Sequence, residues 1–104
     1  MLAIVVLSTF PSEDKAAEVA RVLVDERLAA CVNLVPSVRS IYRWQGAVSD
    51  DRETLAIIKT ENDRDEQLCK RLVALHPYEV PEVVVVSVAG GHSKYLEWIT
   101  AMTR

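Results

Sequence analysis

The sequence predicts an α+β fold in which helices pack on a four-stranded antiparallel sheet. Two short apolar runs rich in Val and Ile, residues 2–7 and 83–88, have the composition of buried strands. Two other segments repeat their apolar residues every three or four positions, which is the period of an amphipathic helix. A long strand-like stretch with one Gln-Gly turn separates those two segments. The predicted order is β-α-β-β-α-β-α.

The first helix has a clear start signal. Ser12 is a candidate N-cap, and acids at Glu13 and Asp14 lie where the positive end of a helix dipole favours them. The apolar stripe of this segment predicts a helix that ends near Leu28. It follows directly on the first strand.

The middle of the chain predicts one long antiparallel hairpin over residues 30–60 that turns at Gln45-Gly46. Pro36 interrupts its first limb. Because proline has no backbone N–H to donate, this limb is expected to be an edge strand or a bulged strand.

The last third of the chain completes the pattern. Asn62 is expected to cap a second helix, which Pro77 ends, and Ser93 is expected to cap a short terminal helix after the strand 83–88. This order is the split β-α-β, or ferredoxin-like, arrangement with one extra C-terminal helix, and it places both main helices on one face of the sheet. The other face would be bare and apolar, which predicts self-association.

Length and composition limit the classes of function. The 104 residues are expected to form a single domain, residues 1–104, of which 50% are hydrophobic and 26% charged. A net charge of -3 argues against a nucleic-acid partner, since phosphate binding needs clustered Lys and Arg. The run 2–7 is far shorter than the ~20 residues of a membrane helix and has no basic segment before it. We therefore expect a cytoplasmic protein with no membrane partner.

The richest group of polar side chains follows the second helix. His76 is held between that helix and Pro77, and Tyr78, Glu79 and Glu82 follow it in a short connector made stiff by two prolines. An imidazole, a phenol and two acids in one connector can build a site. They can equally belong to a well-fixed turn that carries polar residues for capping and solubility.

Three further candidates have both a functional and a plain structural reading. Cys31 and His76 could meet in space as a metal or redox site, or be a buried thiol and a helix-ending imidazole. Lys59, at the end of a buried run, could face an anion or extend to water. Tyr42, Arg43 and Trp44 end the first hairpin limb as an aromatic and cationic cluster, which is more often an interface patch than a cofactor site. Cys69 lies seven residues before His76, about 10 Å along a helix, which is too far for direct proton transfer.

Several separated motifs resemble one known family, the CutA divalent-cation-tolerance proteins. They cover nearly the whole chain in the expected order: RLAACVN at 27–33, SIYRWQG at 40–46, Lys59-Thr60, HPYEVPE at 76–82 and YLEWI at 95–99. The resemblance implies a ferredoxin-like subunit in a tight homotrimer. It also implies a role in tolerance to copper and other divalent metals, and no enzymatic activity.

The resemblance also suggests metal ligands. Some family members have a cysteine at the position of Ser8 and two successive histidines where this chain has Leu75-His76, and those side chains are linked to copper binding. Only His76 matches. We therefore expect Cu(II), or another divalent cation, to bind weakly, with His76 as a ligand and the coordination completed by Cys31, by Glu79 or by the same His76 of a neighbouring subunit.

Two alternatives to metal binding remain. The CutA trimer resembles the trimeric PII signalling proteins, which bind small ligands in clefts between subunits, and Cys31, Lys59, Tyr78 and Glu79 are the candidate residues of such a cleft. An acylphosphatase-like activity would use Arg39 and Asn33, which share a strand phase. The absence of a glycine-rich phosphate loop argues against that activity.

Overall fold

The computed structural model describes residues 2–104. Strands and helices follow one another in the predicted order, with a single turn of 3-10 helix at Asn62–Arg64 before the second α-helix. The bounds are β1 Ala3–Phe10, α1 Glu13–Asp25, β2 Cys31–Trp44, β3 Ala47–Glu61, α2 Asp65–Leu75, β4 Val84–Ser87 and α3 Ser93–Met102.

One four-stranded sheet has the order β2-β3-β1-β4, and all its neighbouring strands are antiparallel. β1 lies in the middle and pairs with β3 from Ala3 opposite Glu61 to Phe10 opposite Thr54. The predicted α+β, ferredoxin-like class is confirmed. Within residues 2–104 no helix is long and apolar enough to cross a membrane.

The main core lies between α1, α2 and one face of the sheet. Alternate residues of β1 point into it, because successive side chains of a strand face opposite sides. Val6 and Phe10 of β1, Ile58 of β3, Leu23 of α1 and Leu72 of α2 are all nearly inaccessible to solvent. This packing fixes the end of β1, where the candidate site begins.

The first helix starts as predicted and ends earlier than predicted. The Ser12 side chain accepts a hydrogen bond from the backbone N–H of Lys15 at 3.1 Å, so the predicted cap is confirmed. α1 ends at Asp25 rather than near Leu28. Arg27 has a φ of 60°, in the left-handed region, and cannot continue the helix.

The two later cap predictions, Asn62 and Ser93, are wrong. The N–H of Asn62 donates to the carbonyl of Leu2 at 2.7 Å, and Asn62 then opens the 3-10 turn, so α2 begins only at Asp65. Ser93 is the first residue of α3, where His92 holds the cap position without a side-chain hydrogen bond. The prediction for Pro77 is confirmed: α2 ends at Leu75, and His76 is extended.

The second face of the sheet is partly covered, not bare as predicted. α3 packs over one end of it, where Ile99 contacts Ala3 and Ala30. Under the same helix Glu61 is 1% exposed and accepts a hydrogen bond from the Thr100 hydroxyl. The rest of this surface, which we call the open face, is largely apolar and contains Val5, Leu7, Leu55, Ile57, Val84 and Val86.

The hairpin extends well beyond the sheet. β1 ends opposite Thr54, so residues 38–53 of the hairpin pair only with each other, and we call this segment the hairpin arm. The predicted irregularity at Pro36 is confirmed, since the register shifts between Val35 and Val38 and Ser37 has a φ of 58°. The arm exposes Ile41, Tyr42, Trp44 and Val48.

Candidate functional site

His76 is buried at the junction of α2 and the connector. Its Nε2 lies 2.8 Å from the carbonyl oxygen of Thr9, and its Nδ1 accepts a hydrogen bond from the backbone N–H of Tyr78 at 3.1 Å. A carbonyl can only accept, so Nε2 carries the proton and Nδ1 does not. The ring also stacks on Phe10 with centroids 4.3 Å apart. His76 is therefore a neutral imidazole with both nitrogens engaged.

The charge state of His76 follows from its surroundings. Burial lowers the pKa of His76, and the bond to the Thr9 carbonyl opposes that shift only in part. A proton on Nδ1 would face the N–H of Tyr78 and break the bond between them. Binding of a metal at either nitrogen would also require that one of the two existing hydrogen bonds be given up.

Two phenols connect the arm and the connector to acidic residues. The Tyr78 hydroxyl donates to Oε2 of Glu53 at 2.8 Å, and the Tyr42 hydroxyl donates to Oδ2 of Asp51 at 2.6 Å. Burial, and then the bond to Glu53, raises the pKa of Tyr78. The bond to Asp51 raises the pKa of Tyr42. Both phenols therefore remain protonated donors, and each fixes the position of a carboxylate.

These residues line a cleft of about 860 Å³ between the hairpin arm and the connector, which we call the arm cleft. Its volume is within the range of about 300 to 1,000 Å³ that is usual for small-ligand sites. The lining is aromatic and acidic, and includes Tyr42, Trp44, Glu53, Tyr78, Glu79 and Glu82.

The structure brings together four of the predicted site residues. Tyr78 and Glu79, predicted for a ligand cleft, line the arm cleft together with Tyr42 and Trp44, predicted for an interface. Lys59 lies elsewhere. It is five residues along β3 from Thr54, roughly 16 Å at the rise of a strand, and its Nζ donates to the Tyr95 hydroxyl at 3.3 Å.

Cys31 and His76 are not brought together. Cys31 pairs with Lys59 in the sheet and lies on the face that α3 covers in part, whereas His76 stacks on Phe10 on the opposite face and at the other end of β1. The Cys31 thiol contacts Oδ1 of Asn33 at 3.7 Å. Among residues 2–104 no group of three or more His, Cys, Asp or Glu side chains is placed to hold a metal ion.

Sequence reasoning did not identify Asp51 and Glu53 as site residues. Their spacing of two places both carboxylates on one side of β3, and this signal is visible in the sequence. Their phenol partners are not visible there. The bond from Tyr78 to Glu53 joins residues 25 apart and depends on how α2 and the connector return to the hairpin.

Comparison with known proteins gives the relatives of this chain. The family described as CutA1 divalent ion tolerance protein matches residues 4–102. The Divalent-cation tolerance protein CutA of Thermus thermophilus is 52% identical over 99 residues, which cover 95% of this chain and 96% of the relative. Protein CutA, chloroplastic, of Arabidopsis thaliana is 46% identical over 97% of this chain. The chain spans only 56% of that longer protein.

Solved structures agree in fold over the full length. The divalent cation tolerance protein of Thermus thermophilus superposes with a TM-score of 0.94 at 50% identity, covering 99% of this chain and all of that one. CutA of Xylella fastidiosa gives 0.96 at 40% identity, with both chains covered completely. CutA1 of Oryza sativa gives 0.96 at 42% identity, covering all of this chain and 95% of that one. The chain belongs to the CutA1 divalent ion tolerance protein family.

Proposed function

We propose that this chain acts in tolerance to divalent metal ions as a homotrimer with no catalytic role. The single observation that carries the proposal is the family match over residues 4–102, because the Thermus thermophilus relative is named for divalent-cation tolerance. The cytoplasmic location stays a prediction. Related proteins carry both chloroplastic and periplasmic names.

Two exposed surfaces support the homotrimer. An isolated two-stranded ribbon is only marginally stable in water, and the hairpin arm is such a ribbon in the single chain. It exposes Ile41, Trp44 and Val48, whose apolar surface a neighbouring copy would remove from water. The open face adds Val84 and Val86, which are 48% and 45% exposed.

The metal implied by the family does not fit a ready-made site in one chain. His76 has both ring nitrogens in hydrogen bonds, Cys31 lies on the other face of the sheet, and residues 2–104 contain no cluster of metal-binding side chains. We propose that Cu(II) binds weakly and depends on His76. The bond at Nδ1 is then lost on binding, which lowers the affinity.

Titration calorimetry with Cu(II) tests this proposal. We expect weak binding to the wild type and no heat above background for His76→Ala, since His76 is the candidate imidazole. His92→Ala is the matched control, because His92 is the only other histidine and lies before α3, and it should bind as the wild type does. Equal affinity in wild type and His76→Ala would remove His76 from the site, and no heat in any of the three proteins would remove copper binding.

The arm cleft favours a second candidate function, the binding of a small ligand between subunits. Trp44 lies on the hairpin arm, which we propose to contact a neighbouring copy, and also lines the cleft. A second copy packed on the arm would therefore enclose a site that is open in one chain. A ligand there would contact Trp44, so the fluorescence of Trp44 in a Trp98→Phe background is the measurement that detects it.

A further inference from the structure

The arm cleft is rich in negative charge. Four carboxylates line it, those of Asp51, Glu53, Glu79 and Glu82, against the single guanidinium of Arg52. The ion pairs found among residues 2–104 include none of these four acids. Arg52 donates from Nη1 to the carbonyl of Ser37 at 3.3 Å. These carboxylates therefore favour a ligand that carries positive charge.

The cleft also offers aromatic surface beside these acids. Tyr42, Trp44 and Tyr78 line it, and aromatic rings attract cations through the negative potential of their faces. The two phenols donate to Oδ2 of Asp51 and Oε2 of Glu53. The second oxygen of each carboxylate makes no hydrogen bond within residues 2–104, so it is available to accept from a ligand N–H.

The arrangement of the acids distinguishes between kinds of cation. A divalent metal needs several ligands that converge on one point at about 2.0 to 2.6 Å. No three such side chains among the described residues converge in that way. Carboxylates spread along a cleft of about 860 Å³ instead match positive charges that are spread along a flexible chain.

We propose that the arm cleft binds a small aliphatic di- or polyamine. Its ammonium groups pair with Asp51, Glu53, Glu79 and Glu82, and its methylene segments lie against Tyr42, Trp44 and Tyr78. The inference rests on the second candidate function and gives that function a ligand class. A polyamine ligand also accounts for a cleft that has acidic side chains and aromatic walls. Among the described residues this cleft contains no group of side chains that could hold a metal ion.

Fluorescence titration with spermidine, a linear polyamine, tests the proposal. Replacing Trp98 with phenylalanine leaves Trp44 as the only tryptophan. We expect a saturable change in Trp44 emission that weakens as salt is added, because ion pairs are screened. The double variant Glu79→Gln/Glu82→Gln should lower the apparent affinity at least tenfold. Neither of these side chains makes a hydrogen bond within residues 2–104, so the variant is expected to fold.

A matched control separates the cleft from general attraction to an acidic protein. Glu66→Gln/Glu97→Gln also removes two negative charges, but from exposed positions on α2 and α3 outside the cleft. This variant should change the affinity for spermidine less than twofold. An equal loss of affinity for spermidine in both double variants would overturn the proposal. A second cleft variant, Asp51→Asn/Glu53→Gln, should also weaken binding, and its far-UV circular dichroism and mass report whether it is folded.

A parallel titration with ATP, an anion, distinguishes failure of the polyamine proposal from failure of small-ligand binding in the arm cleft. Binding of ATP without spermidine would overturn the polyamine proposal and leave the cleft as a ligand site of another class. Binding of neither would overturn the polyamine proposal and leave the second candidate function without a supporting ligand. Binding of spermidine alone, with the dependence on Glu79 and Glu82, is the result we expect.

Discussion

Replacing Trp44 with alanine is expected to dissociate or strongly weaken the proposed homotrimer. The indole is 44% exposed in a single chain, at the end of a hairpin arm whose strands pair only with each other. Tryptophan is enriched among the residues that dominate interface energy, and truncation of such a residue removes about 2 kcal/mol or more of binding free energy. The measurement is the mass by light scattering over a dilution series.

Trp44→Phe is the control for this change, because it keeps an aromatic ring on the arm and should retain the trimer at concentrations where Trp44→Ala does not. Thermal stability measured on the same samples should fall together with the mass, since assembly stabilises the folded subunit. A Trp44→Ala protein that keeps the wild-type mass and melting temperature at every dilution would show that Trp44 is not an interface anchor.

Phe10→Ala is expected to cost about 3 to 5 kcal/mol of the free energy of unfolding, as is usual when a buried Phe is truncated to Ala. Phe10 is 1% exposed, packs in the main core and stacks on His76 with centroids 4.3 Å apart. The change therefore leaves a cavity and also frees the imidazole that connects α2 to β1. Urea unfolding followed by circular dichroism, at fixed protein concentration, measures the loss.

Phe10→Leu separates the two contributions at this position. Leucine refills most of the volume, so its packing loss should stay below about 1.5 kcal/mol, while the stacking on His76 is lost as in the alanine variant. An ordinary surface substitution lowers the free energy of unfolding by roughly 0.5 kcal/mol. If Phe10→Ala lowers it by no more than that, Phe10 does not support the connector through its stacking on His76.

The sequence predicted the fold well because its local signals agreed with the tertiary packing. The turn at Gln45-Gly46 has positive φ at both residues, 49° and 81°, as tight hairpin turns require, and Ser12 caps α1 as its residue type suggests. The cap at Asn62 failed for a tertiary reason. Asn62 is tied by its backbone N–H to the carbonyl of Leu2, sixty residues earlier, and opens a 3-10 turn instead of capping α2, which begins at Asp65.

The candidate site could be predicted only in part. Tyr78 and Glu79 were found because they share a stiff connector with His76, and Tyr42 and Trp44 because they share a strand end. These two groups form one cleft because the arm is long enough to reach the connector. The arm begins where the pairing of β1 with β3 ends, so the register of these strands sets its length. The same register places Lys59 at the other end of the sheet, which the sequence alone does not reveal.

The absolute mass of the wild-type protein in solution tests the homotrimer most directly. A subunit of 11.6 kDa predicts about 35 kDa, three times that mass, in light scattering at micromolar concentration. The proposed covering of the hairpin arm and the open face, and the proposed enclosure of the arm cleft, predict this result. A mass of 11.6 kDa across the same concentrations would contradict the assembly and, with it, the proposal that the cleft lies between subunits.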